Sequence, residues 1–362
     1  MHTTSTNEND DASRASQLPR PSEVEQQSLK SRPLAAWLII GLGLAALAFS
    51  MALAVAVGAA DIRLSGVWDA ILRFNPDDPK HHVIRELRIP RAAAGAMVGA
   101  GFAVAGAVMQ GMTRNPLADS GLLGLNAGAG LALALCFALV PQLPFGQVML
   151  FAFLGAALGA GIVFGIGALG RGGLTPVRLT LAGAAVSALL VALSEGIALL
   201  YNVAQDLAFW YAGGIAGVTW AQVSAMLPWI AGGLLSAIYM SRSITLLSLG
   251  EDIATGLGQR TAWVKAAGML IVLLLAGVSV SAVGGIAFVG LIIPHLARFL
   301  VGVDYRWIIP CSAVLGALLM VLADIAARLI NPPYETPIGA LIALIGVPFF
   351  LVLARRGKQV LK

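Results

Sequence analysis

Charge is what this chain has least of. Only 11% of its 362 residues are Asp, Glu, Lys or Arg, where a water-facing domain carries about 25%. With 58% hydrophobic residues and a mean hydropathy of +0.86, the chain lacks the polar surface that water requires, and lipid is its solvent. Cysteine is scarce too. Cys136 and Cys311 each sit inside an apolar run, where a free thiol packs as a small hydrophobe. The four histidines, His2, His81, His82 and His295, show no metal-ligand spacing such as HxxxH. No metal site and no cofactor are expected. A phosphate-binding loop of the form GxxxxGKS or GxxxxGKT is missing, so the chain is not read as an enzyme that hydrolyses nucleotide. The net charge of +5 comes from basic residues scattered between apolar runs without interleaved aromatics. That pattern speaks for membrane topology and against a nucleic-acid partner.

A basic leader is also missing at the start. Residues 1–33 are rich in Asn, Asp, Glu, Ser and Pro, which reads as a disordered cytoplasmic tail rather than a cleavable signal.

What the sequence has in abundance is apolar runs. A helix needs about 20 such residues to cross a bilayer core. Runs of that kind fall at 34–58, 92–112, 121–140, 145–169, 179–203, 221–241, 264–284, 286–303, 307–323 and 337–354. Leu207–Trp220 is apolar but short, carries Gly213, Gly214 and Gly217, and reads as a re-entrant or interfacial piece. Counting it as a span would put the termini on opposite sides. The positive-inside rule favours ten. With both ends inside, Arg63, Arg73, Lys80, Arg85, Arg88, Arg91 and Arg328 are external, and the other sixteen of the 23 basic residues are cytoplasmic. The expectation is an all-α integral membrane protein: ten transmembrane helices over 34–356, and a cytoplasmic tail at 357–362.

Forty-two glycines with abundant alanine run through these spans, and small residues let helix backbones approach where lipid supplies no hydrophobic drive. Pro294-His295 interrupts the eighth span, and Glu195 in the fifth faces either a pathway or a helix neighbour. At this level the bundle could be a channel, a transporter or a membrane enzyme.

Several motifs narrow the choice. Leu87-Arg88-Ile89-Pro90-Arg91 leads to Met109-Gln110-Gly111, then to Asn115-Pro116-Leu117-Ala118-Asp119. Later come Ser248-Leu249-Gly250-Glu251-Asp252, then Gly285-Ile286-Ala287-Phe288-Val289-Gly290 running on to Pro294-His295, then Asp324 with Arg328, and finally Pro337-Ile338-Gly339. In this order and spacing the chain resembles the permeases for iron chelates, haem and cobalamin, ten-helix subunits of type II ABC importers. The resemblance covers about 34–356. It implies a working unit of two permeases (identical or related), a cytoplasmic ATPase dimer and an extracytoplasmic binding protein. The runs Gly302–Pro310 and Arg328–Pro337 look most like ferric-siderophore permeases of Gram-positive type, with haem and then cobalamin as alternative cargoes.

The resemblance also assigns residues. Arg88, Arg91 and Arg328 would dock the siderophore-binding protein, for which a bidentate, permanently charged guanidinium suits acidic partners. Asp324, four residues before Arg328, shares its helix face. Leu249, Gly250, Glu251, Asp252 and Gly258 would form the loop that couples to the ATPase. Asn115 and Leu117 would narrow the cytoplasmic exit. Pro176 and Val177 stand where the family's second constriction has a Thr-Ser pair, and there the pattern departs.

Overall fold

A computed structural model describes residues 31–57, 64–119, 121, 124–168, 176–332 and 334–357. Among these every regular element is helical. In chain order they are α1 (Pro33–Ala56), α2 (Leu64–Leu72), α3 (Pro79–His82), a π-helical turn (Val83–Arg88), α4 (Ile89–Thr113), α5 (Leu125–Leu139), α6 (Phe145–Ala168), α7 (Pro176–Leu200), α8 (Ala204–Ala212), α9 (Trp220–Leu249), α10 (Glu251–Gly256), α11 (Thr261–Val283), α12 (Val289–Val301), α13 (Tyr305–Ile330) and α14 (Ile338–Gly357). Seven are long and apolar enough to cross a bilayer, and shorter apolar helices at Leu125–Leu139, Val289–Val301 and Ile338–Leu353 bring the count to ten. The apolar run around Leu207 forms only the nine-residue α8, too short to span. Residues 1–30 and 358–362, most of the two expected tails, lie outside the described residues.

α4 is the centre of the bundle, against which α13, α11, α9 and α12 all pack. It can take that place because its sequence is mostly Ala, Gly and Val, so neighbouring backbones come into contact. A Cβ at Gly99 would lie 2.2 Å from the Gly316 carbonyl oxygen of α13, and one at Gly106 would lie 1.9 Å from that of Gly290 in α12. Neither space exists, and glycine is required at both crossings. The outer faces carry exposed Leu, Ile, Phe and Trp along α1, α6, α7 and α14, as lipid demands.

Two structural details differ from the sequence-based expectation. Pro294 does not break its helix; α12 runs through it from Val289 to Val301. The irregular backbone lies just before, at Gly284–Phe288, where Phe288 takes a left-handed φ of 70°. A proline removes the hydrogen bond to the carbonyl four residues back, here Gly290. Gln110 of α4, 2% exposed, donates its Nε2 to that freed oxygen at 3.1 Å. The partner is tertiary, and local pattern does not reveal it.

The long connection before α4 is also more structured than hydropathy suggests. It holds α2, α3 and the π-helical turn, with Asp78 capping α3 by accepting from the Lys80 backbone N–H at 2.8 Å.

Candidate functional site

Three places matter: the N-terminal end of α4 with the C-terminal ends of α1 and α13, the corner after α4, and the short helix between α9 and α11.

At the first of these, α1 terminates and its last carbonyls need donors. Arg88, 8% exposed, donates Nη1 to the oxygens of Val55 and Ala56 at 2.7 and 2.8 Å. Arg328 donates Nη1 to Ala54 and Val57 at 2.8 and 2.9 Å. Two cations thus close the negative end of one helix dipole. Asp324, 1% exposed, sits between Arg91 and Arg328. It accepts from Arg91 Nε at 2.9 Å and Nη2 at 2.7 Å, and from Arg328 Nη2 at 2.6 Å. Arg91 also pairs with Glu335, whose side chain is 43% exposed. Sequence spacing foresees Asp324 with Arg328 at i, i+4. It misses Arg91, which is 233 residues away, and Glu335.

The arginines expected to project outward are therefore turned inward, and each has protein partners. The exposed rim of the cluster is the Arg91–Glu335 pair.

At the C-terminal end of α4, Arg114 adopts a left-handed φ of 52° and Pro116 prevents the helix from continuing. The Asn115 side chain accepts from Leu117 N at 3.0 Å, and Ala118 N donates to Asn115 O at 3.1 Å. The corner is rigid for that reason. Beyond it, Asp119 lies against the first turn of α12: a Cβ at Gly290 would be 2.9 Å from Asp119 Oδ1, placing a carboxylate near a helix N-terminus. Pro176 and Val177 open α7; their side chains lie outside the described residues.

α10 is the third place. Gly250 precedes it at φ 138°, a conformation open to glycine, and Gly258 follows at φ 79°. Glu251 and Asp252 fill its first turn. Glu251 is anchored by Lys265 Nζ at 2.6 Å and Thr261 Oγ1 at 3.2 Å, both from α11. The Lys265 bond, aided by Thr261 and by the charge of Arg114, holds its carboxyl below the ordinary glutamate value. Ala254 is buried, while Leu249, Ile253 and Leu257, at steps of four, are more than half exposed. The short helix is thus pinned on one side and presents an apolar ridge on the other. Arg114 is also its neighbour, with Nη1 4.0 Å from where a Cβ at Gly250 would lie. The corner after α4 and the short helix are therefore neighbours.

Comparison with known proteins agrees with this architecture. Residues 46–356 match the FecCD transport family. The chain is 54% identical over 335 residues to the iron(3+)-hydroxamate import system permease FhuB of Bacillus subtilis, covering 92% of this chain and 87% of that one. It is 43% identical over 277 residues to the ferric enterobactin permease FepD of Escherichia coli, covering 76% and 82%. A solved metal-chelate type ABC transporter in an inward-facing conformation superposes with a TM-score of 0.75 at 27% identity, over 88% of this chain and 99% of that one. This chain belongs to the FecCD transport family of membrane permeases.

Proposed function

We propose that this chain is the membrane-spanning subunit of an ATP-driven importer that carries ferric siderophores of the hydroxamate type into the cytoplasm. The observation that carries the reading is the near-full-length likeness to the Bacillus hydroxamate permease. ATP is hydrolysed by a separate ATPase subunit, and this chain converts that event into movement of the cargo.

The geometry supports a division of labour along the membrane normal. Outside, a siderophore-binding protein docks around the rim of the Arg88–Arg91–Arg328 cluster. The inward bonds of the three guanidiniums hold the ends of α1, α4 and α13 in register, and docking would recruit the partly exposed Arg91–Glu335 pair. Inside, the Leu249–Ile253–Leu257 ridge is the surface an ATPase subunit would clasp. Contact between Arg114 and the Gly250 turn gives that clasp a direct route to Asn115 and Leu117 at the exit. A second permease, a copy or a close relative, completes the pathway, and both termini are cytoplasmic.

The test is uptake. In a bacterial strain deleted for its own hydroxamate permease, this chain with its cognate ATPase and binding protein should restore uptake of radiolabelled iron given as a ferric hydroxamate. Haem and cobalamin should not be carried. Restoration by haem or cobalamin alone would overturn the cargo assignment.

A further inference from the structure

One large cavity in the molecule belongs to none of these places. α9 and α11 touch near mid-membrane, where a Cβ at Gly233 would lie 2.5 Å from Leu275 Cδ2. Toward the cytoplasm a cleft of about 1030 Å³ opens between them. That is at the upper end of small-molecule sites, roughly 300–1,000 Å³. Its walls are Leu235, Ile238, Ala267 and Leu270, a lining that suits acyl chains. Its mouth is different. Tyr239 is 88% and Trp263 70% exposed, the two residue types that seat at the headgroup level.

Between them lies Arg242, exposed and with no ion-pair partner among the described residues. It is seven residues from the end of α9, hence about 10 Å along the axis, at the depth of a cytoplasmic headgroup. Ser236 and Ser243 line the same cleft and add hydroxyls. An apolar slot with one unneutralised guanidinium and an aromatic pair at its rim is complementary to an amphiphile with a negative head.

We infer that the α9–α11 cleft is a binding site for an anionic phospholipid of the cytoplasmic leaflet, with its acyl chains between the helices and its phosphate on Arg242. The Gln259 side chain, bonded to the Ser243 carbonyl at 3.0 Å, ties the connection carrying α10 to the rim of the same cleft, so the lipid would lie beside that short helix.

Native mass spectrometry of the purified permease tests this without the ATPase, so its outcome is independent of the transport assignment. Phosphatidylglycerol and phosphatidylcholine are titrated in parallel. One cation beside an anionic head corresponds to about a fivefold preference for phosphatidylglycerol. Arg242→Gln should abolish that preference. Arg355→Gln, which removes an equal charge at the inner end of α14, should leave it intact. Ala267→Trp, which fills the slot, should reduce retention of both lipids. Equal retention of the two lipids by the wild type would overturn the inference. So would equal losses in the two arginine variants, which would mean a general surface charge effect.

Discussion

Asp324→Ala is the most informative stability change, because the carboxylate is 1% exposed and is shared by two largely buried guanidiniums. The Arg91 and Arg328 side chains are only 11% and 8% exposed. Breaking a buried pair by removing one partner costs about 3–5 kcal/mol, mainly because the remaining charge is stranded. Here Arg328 loses its carboxylate outright, while Arg91 keeps only the partly exposed Glu335. Glu335→Gln supplies the contrast. Its carboxylate is 43% exposed, and exposed pairs contribute about 0–1 kcal/mol. The assay is the denaturation midpoint of the detergent-solubilised protein, read as loss of the monodisperse peak. Asp324→Ala should fall far below the wild type, and Glu335→Gln should lie close to it. Adding Arg328→Leu to Asp324→Ala should cost less than the sum of the single changes, since residues in one network are not additive. If Asp324→Ala and Glu335→Gln have the same midpoint, the buried cluster does not hold these ends of α1, α4 and α13 together.

Single cysteines at Asp77 and Gly357, in a variant lacking Cys136 and Cys311, should label from opposite sides of intact cells; labelling of both from outside would refute the ten-span topology. Arg91→Glu should lower binding-protein docking more than Arg88→Glu does, because Arg91 is bonded to the partly exposed Glu335, with each variant's docking scaled to its folded fraction. High salt should copy part of the Arg91→Glu docking defect; normal docking by both variants would remove the cluster from the docking surface. Gln110→Leu should destabilise by about 1–3 kcal/mol through the orphaned Gly290 carbonyl, measured by the same midpoint, whereas an unchanged midpoint would show that Pro294 needs no tertiary donor.

The ten spans were legible because lipid leaves so few residue types eligible: each run of apolar residues became a helix, most within a few positions, while α9 and α13 continue to Leu249 and Ile330, well past the expected 241 and 323. The turn chemistry of Asn115-Pro116 and of Gly250-Glu251 was legible as well, since proline and glycine act locally. The short α3 could have been found from Asp78-Pro79, a cap followed by proline at the first helical position. What stayed hidden was long-range. Nothing in the neighbourhood of Pro294 announces that Gln110 will repair it, and nothing near Arg91 announces Glu335. A sequence window shows that an arginine stands at a membrane boundary, but its direction depends on carbonyls that another helix brings there. The glycines of α4 read as packing residues in general, and which of them meet Gly290 and Gly316 is a property of the crossing alone.

The central claim is that ATP-driven work passes into this chain through α10, and one reconstitution tests it. Proteoliposomes are prepared with permease, ATPase and loaded binding protein, in wild-type form and with Glu251→Lys. The substitution turns an attraction to Lys265 into a repulsion and puts a cation at a helix start. The latter costs about 0.3–1 kcal/mol, too little to unfold the bundle. The wild type should import ferric hydroxamate only with ATP inside the ATPase-bearing compartment. The variant should assemble and dock its binding protein normally, yet lose both stimulated ATPase activity and import. Import by Glu251→Lys at the wild-type rate with normally stimulated ATPase, or import by the wild type without any ATPase subunit, would contradict the account.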